Sequence, residues 1–331
     1  MDRRLSLGAF LLLVSASSPA CDGSSPSTST GGSATTGGSG GAGTGGAATG
    51  GTAGTGGSGG AETGGTAGAG GTGGDTGTGG QSTGTELVHA DFEVIAPGEY
   101  TESMVAADFG GDPPWNNGLD EGRASVVEEG GNRFLRVTFA GNEFGPGNGG
   151  VQFKVPLGDS HDELYLYYRV RFAPGFQWVK GGKLPGLVGG TAPTGCVDDT
   201  AGFSARMMWQ TAGGIIQYMY FPEKTQACGD AFGYTSGGAP AHFEPGTWHT
   251  VEHRLVMNTP GAHDGVLQAW FDGEPALDEQ AFLYRLAGAT FGIDALYFST
   301  FFGGGDQSYA PTSDQVLDFD DFIISTGPIA H

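Results

Sequence analysis

Leu164-Tyr165-Leu166-Tyr167-Tyr168-Arg169-Val170-Arg171-Phe172 alternates without a break. In an extended chain Leu164, Leu166, Tyr168, Val170 and Phe172 fall on one side, and Tyr165, Tyr167, Arg169 and Arg171 on the other. Such a segment is a strand with one face in a core and one aromatic-basic face. Similar runs occur at Phe134 to Phe139, Val151 to Val155, Trp248 to Met257, Val266 to Phe271, Leu296 to Phe302 and Val316 to Ser325. Turn clusters such as Asn258-Thr-Pro-Gly261 and Asp272-Gly273 separate them. No amphipathic helix longer than about two turns stands out, and Asp278 to Leu286 is the best helical candidate. Many short strands with Gly-rich turns predict an all-β fold, a jelly-roll β-sandwich in which one sheet forms a concave groove.

Just beyond this strand comes Lys180-Gly-Gly-Lys183-Leu-Pro-Gly186, then Phe203-Ser-Ala-Arg-Met-Met-Trp209, then Tyr218-Met-Tyr220-Phe-Pro222. Read as strands, the last two pieces put Ser204 on the face of Arg206 and Tyr218 on the face of Tyr220. A hydroxyl, a guanidinium and two phenols beside a lysine loop suit a negatively charged sugar. Taken singly, each signal is ordinary: a Tyr-x-Tyr is usually an amphipathic strand face, and the glycines lack the spacing of a phosphate-binding loop.

The chain has 331 residues and a formal net charge of −22. That balance excludes nucleic acid, which needs a basic footprint. Yet Lys154, Arg169, Arg171, Lys180, Lys183 and Arg206 gather in one stretch, and the local field decides where an anion docks.

Residues 1–20 read as a signal peptide, with Arg3 and Arg4 before an apolar run from Leu7 to Val14. Ser18-Pro-Ala-Cys21 resembles a bacterial lipobox with Ser18 where Leu is usual, so Cys21 is the expected lipidation site; ordinary cleavage after Ala20 is the alternative. Residues 21–86 are almost only Gly, Thr, Ser and Ala and are expected to form a disordered linker. Residues 87–331 can bury one sizeable core and read as a single domain. The expected protein is an exported monomer, a cell-envelope lipoprotein or a secreted chain, that meets a membrane only through its lipid. Cys196 and Cys228 bracket the strands carrying the candidate site, and pairing them would staple that region in an oxidising compartment; two buried thiols are the alternative. His242, His249, His253 and His263 read as packed or solvated rather than catalytic. Asp318, Asp320 and Asp321, with Asp91 and Glu93, are candidate ligands of a structural calcium, against the simpler reading of a solvated acidic strand. No metal or other cofactor is required.

The ordered set Lys-Gly-Gly-Lys-Leu-Pro-Gly, Ser-x-Arg-x-Met-Trp and Tyr-x-Tyr resembles polysaccharide lyase family 14, the alginate and glucuronan lyases, over roughly residues 87 to 326. The resemblance implies a concanavalin-like sandwich. It also implies a catalytic groove lined by Lys183, Ser204, Arg206, Tyr218 and Tyr220. Arg169, Arg171, Tyr167 and Lys180 are the added candidates for binding an anionic polysaccharide. Cleaving a polyuronate by β-elimination needs a group that neutralises the carboxylate, a base at C5 and an acid for O4. Arg206 and Lys183 can supply the first. The tyrosines can move the protons if neighbouring cations bring a phenol toward neutral pKa. Two rivals remain: a non-catalytic sugar-binding module on the same fold, and a glycoside hydrolase, which needs a carboxylate pair that no Glu-x-Asp-x-x-Glu strand supplies here.

Overall fold

A computed structural model describes residues 84–329; the expected signal peptide, nearly all of the linker and Cys21 lie outside the described residues. The strands are β1 (Glu86–Ala90), β2 (Gly98–Glu99), β3 (Asn116–Asn117), β4 (Ala124–Glu129), β5 (Asn132–Phe139), β6 (Gly150–His161), β7 (Glu163–Phe172), β8 (Gly181–Gly190) and β9 (Gly202–Gln210). They continue with β10 (Ile215–Tyr220), β11 (Asp230–Gly233), β12 (Thr235–Ser236), β13 (Ala239–Pro240), β14 (His249–Val256), β15 (Gly265–Phe271), β16 (Glu274–Phe282), β17 (Ile293–Phe301) and β18 (Gln315–Ser325). Two short helices, α1 (Glu102–Phe109) and α2 (Gly145–Asn148), complete the regular structure with two 3-10 turns.

The strands form two large sheets, a nine-stranded one ordered β16-β15-β14-β7-β18-β5-β4-β2 with β1 also on β18, and a seven-stranded one ordered β11-β10-β9-β8-β17-β6-β3. One continuous core lies between them, as expected of a sandwich. It takes Leu164, Leu166, Tyr168, Val170 and Phe172 from β7 and Phe203, Ala205, Met207 and Trp209 from β9. Tyr168 also ties the sheets, donating its hydroxyl to the Pro185 carbonyl oxygen at 3.3 Å.

Local sequence explains several details. The β15–β16 turn places Asp272 at φ 51° and Gly273 at φ 79°, the left-handed pair that a two-residue hairpin turn requires. In β8 the pairing with β9 shifts register between Leu184 and Leu187. Pro185, which has no N–H to give to a ladder, sits inside that irregularity.

The helical expectation for Asp278 to Leu286 is corrected. The segment to Phe282 belongs to β16, paired antiparallel with β15 from Glu274 to Phe282. Its Asp-Glu-Gln-Ala composition tolerates a helix, but β15 presents an open edge one tight turn away, and pairing satisfies both backbones.

The carboxylates named as candidate calcium ligands are engaged by the chain itself. Among the described residues no group of three or more His, Cys, Asp or Glu is placed to hold a metal ion. Asp318 is buried and accepts from Arg136 Nε at 2.7 Å and Arg171 Nη2 at 2.8 Å. Asp320 accepts from Asn132 at 2.9 Å. Asp91 and Glu93 accept the backbone N–H groups of Glu93 and Arg133. Cations of the chain itself and backbone amides occupy these carboxylates.

Candidate active site

Strand periodicity builds the site on the outer face of the seven-stranded sheet. Phe203, Ala205, Met207 and Trp209 enter the core, which turns Ser204, Arg206 and Met208 outward. On β10, Ile215 and Met219 enter the core, and Tyr218 and Tyr220 join Met208 in a separate cluster. The antiparallel register sets Tyr218 opposite Arg206 and Tyr220 opposite Ser204. Lys183 of β8 stands opposite Met208. The five residues of the motif are thereby brought together.

The glycines of the motif allow this close approach. A Cβ at Gly186 would overlap the Ala205 carbonyl oxygen and crowd the Arg206 Cα, and one at Gly182 would overlap the Trp209 ring. The lysine and arginine strands pack where a side chain would hold them apart.

Lys183 Nζ lies 4.6 Å from the centre of the Tyr218 ring and 5.6 Å from that of Phe301. Arg206 rests 5.1 Å over Tyr297 and donates from Nη1 to Ser299 Oγ at 3.2 Å. Gln152 Oε1 accepts from the Tyr297 hydroxyl at 2.9 Å and from Ser299 Oγ at 3.3 Å. A buried network of this kind fixes the guanidinium in one orientation. Lys154, next on β6, lies 5.3 Å from the Tyr297 ring, and burial followed by the nearby Arg206 charge lowers its pKa.

The phenols are perpendicular, with ring centres 5.6 Å apart. Burial, then the neighbouring Tyr220, push the Tyr218 pKa far above that of free tyrosine; the Gly229 N–H and Arg206 act in the opposite direction. In the free protein Tyr218 is therefore protonated, and the cation-lowered phenol expected from the sequence is not found at this residue.

Lys183, Ser204, Arg206 and Tyr220 are 0 % exposed and Tyr218 is 3 % exposed. Tyr309, on the turn that follows Gly303-Gly304-Gly305, packs against the Met208, Tyr218, Tyr220 and Cys228 cluster. Lys180, at the rim, hydrogen-bonds Ser308 and lies 4.8 Å over the Tyr309 ring. Ser204 faces away from open groove, its hydroxyl donating to the Pro193 carbonyl at 2.8 Å.

Three of the binding candidates lie elsewhere. Tyr167, Arg169 and Arg171 project from β7, in the nine-stranded sheet, on the face away from the core. Arg169 pairs with Asp321 at 3.0 Å, and Arg171 with Asp318 at 2.8 Å and Glu129 at 2.7 Å. The two guanidiniums sit 4.9 and 4.8 Å over Trp248. Tyr167 is buried beside them, and burial raises its pKa. Their aromatic-basic face is real but belongs to the other sheet.

Conversely, Gln152, Tyr297, Ser299 and Trp115 were missed, and Lys154 was read only as one of the clustered cations. Trp115 is 38 % exposed and meets Tyr297 edge to face at 5.8 Å. The signal that could have found four of them is a polar residue at alternate positions of an apolar run, Gln152 and Lys154 in one and Tyr297 and Ser299 in another. The histidines behave as structural groups: His249 binds Asp272 and accepts from the Glu244 N–H, both at 2.8 Å, and His253 is in the core. Cys196 and Cys228 form a disulfide.

A family model described as Polysaccharide lyase 14 matches residues 127–322, more than half of the chain. A search of curated protein sequences returns no match. Among solved structures, alginate lyase Aly36B is 27 % identical with a TM-score of 0.62, covering 74 % of this chain and 98 % of its own. A variant of that enzyme with a lysine and a tyrosine replaced by alanine, in complex with alginate tetrasaccharide, gives 26 % identity, a TM-score of 0.63 and coverage of 74 % and 98 %. The alginate lyase from Aplysia kurodai shares the fold at 24 % identity, with a TM-score of 0.60 over 74 % of this chain and 99 % of that one.

Proposed function

Because the chain belongs to the polysaccharide lyase 14 family, we propose that it cleaves a 4-linked polyuronate of the alginate type by β-elimination in the groove of the seven-stranded sheet. The observation that carries this reading is Arg206, buried and hydrogen-bonded to Ser299, opposite Tyr218, over whose ring Lys183 Nζ lies at 4.6 Å. A uronate carboxylate docked on Arg206 loses its charge, which acidifies the C5 proton. A base removes that proton, the C5–H electrons form the C4–C5 double bond, and the C4–O4 bond breaks. O4 leaves with a proton from an acid. Tyr218, kept protonated by burial, is suited to be that acid, and Lys183 and Tyr220 are the groups placed to serve as base. Trp115 and Lys154, farther along the groove, offer an aromatic platform and a cation to a neighbouring uronate.

The test is release of unsaturated uronate ends, followed by ultraviolet absorbance over a panel of polyuronates. The wild-type chain is expected to produce them. Arg206→Ala should lower kcat/KM by about 10² or more. Tyr218→Phe should lose kcat while KM holds, because only the hydroxyl is removed. A wild-type chain that binds polyuronate yet releases no unsaturated product anywhere between about pH 6 and 10 would instead be a sugar-binding module.

A further inference from the structure

We infer that the Cys196–Cys228 disulfide positions the phenol pair, by holding one backbone N–H group against each hydroxyl oxygen. This rests on the lyase reading of the site for its catalytic meaning, though the contacts themselves do not. The Cys196 N–H donates to Tyr220 Oη at 3.1 Å, and the Gly229 N–H, one residue after Cys228, donates to Tyr218 Oη at 3.0 Å. The two rings meet edge to face, their centres 5.6 Å apart. Each oxygen of the pair therefore accepts an amide proton, and each amide comes from a different loop, one on either side of the crosslink.

Both loops are shaped for this. Cys196 adopts φ 63°, a left-handed conformation that is unfavourable for a non-glycine residue and needs outside support. That support comes from the disulfide, from Ser204 Oγ on the Pro193 carbonyl, and from Lys224 reaching across to Asp198 at 3.4 Å. On the other loop, a Cβ at Gly229 would lie 2.9 Å from the Tyr220 ring and 3.0 Å from the Tyr218 ring, so only glycine lets this amide come so near both phenols. Ser204, expected to line the catalytic groove, acts here through the loop.

An amide aimed at a phenol oxygen stabilises the phenolate. When Tyr218 gives its proton to O4, the charge left on Oη meets the Gly229 N–H already in place. Cys196 does the same for Tyr220. Backbone amides neither titrate nor reorient while the loops are tied, so the crosslink holds the dipoles in the geometry the reaction needs. Cys196 and Gly229 are thus positioning residues that act through the tyrosines.

The experiment compares the full chain, purified without reductant, with Cys196→Ser/Cys228→Ser and with the reduced wild type, well below each melting temperature. Freeing the amides should lower kcat by about tenfold to a hundredfold and leave KM within about twofold. Reoxidation should restore kcat. Amide hydrogen exchange supplies a readout independent of turnover and of the crosslink variant's folding. Tyr220→Phe should speed exchange at Cys196 alone, and Tyr218→Phe at Gly229 alone, each by about tenfold. A crosslink variant that melts earlier but keeps kcat makes the disulfide a mere staple and overturns the inference. So does exchange at the two amides that ignores the phenols. If the wild type proves inactive on every polyuronate, the lyase reading falls, while the exchange data still decide whether the amides are held on the phenols.

Discussion

Glu252 and His253 are neighbours on β14 that face opposite sides of the nine-stranded sheet. His253 enters the core at 0 % exposure against Tyr168, and neither ring nitrogen has a hydrogen-bond partner among the described residues. Burial lowers its pKa to about 3 from 6.5. Its contribution to stability is present above the unfolded value and is lost as pH falls from 6.5 through about 3. Glu252 lies on the outer face, opposite Tyr167 of β7 and Trp270 of β15. Burial raises its pKa to about 7 from 4.5, so its contribution is present below 4.5 and is lost as pH rises through about 7. Thermal melts across pH should separate the two. His253→Leu should resist acid better than the wild type below about pH 5. Glu252→Gln should equal the wild type near pH 4 and exceed it at pH 8 by on the order of 1 kcal/mol. A wild-type gap that is flat with pH in either variant would remove that residue from the account. The same residue-scale logic was legible for Arg206 and the tyrosines, since chemistry and alternation are local. The high pKa of Tyr218 was not legible, because it depends on what the fold stacks over it.

At the scale of the element, β8 sets how near its lysine comes to the arginine of β9. The glycines in Lys180-Gly-Gly-Lys-Leu-Pro-Gly186 are readable from the sequence as a tight passage, but their neighbours are not. Gly182 faces the Trp209 ring, and Gly186 faces the backbone beneath Arg206. Gly186→Ala should therefore push β9 away, costing about 1–3 kcal/mol as an overpacked site does. It should also lower kcat by displacing Arg206 from Ser299. Denaturant unfolding and turnover, measured on the same preparation, check both, and a stable variant of normal activity would contradict the close packing. The failure at β16 has the opposite origin. Its polar, helix-tolerant composition carried the wrong period, and the edge of β15, brought back by the Asp272-Gly273 turn, decided the outcome.

Over the whole molecule the two sheets divide the charged residues between them. On the outer face of the nine-stranded sheet, arginines pair with Asp318, Asp320 and Asp321, which ties Arg169 and Arg171, two of the six clustered cations, to carboxylates of the chain itself. Arg171→Ala should accordingly cost about 1–3 kcal/mol through its charged hydrogen bonds and leave kcat/KM on oligouronates unchanged, whereas Arg206→Ala should do the reverse. A binding defect in Arg171→Ala would return the outer face to the substrate. The sequence by itself determined the strand content, the sandwich class, the motif that marks the family and the common face of Ser204 with Arg206 and of Tyr218 with Tyr220. All of these rest on alternation, composition or spacing within a short span. Only the tertiary structure decided which sheet each strand joined. Between Phe172 and Gly181 the chain leaves the nine-stranded sheet for the other, so the basic face of β7 and the site of β8 to β10 part company. Insertion of β17 between β6 and β8 brings Tyr297 and Ser299 to Gln152 and Arg206 from far along the chain. Alternation tells a residue which side of its own strand it occupies, and long-range pairing alone tells that strand its neighbours.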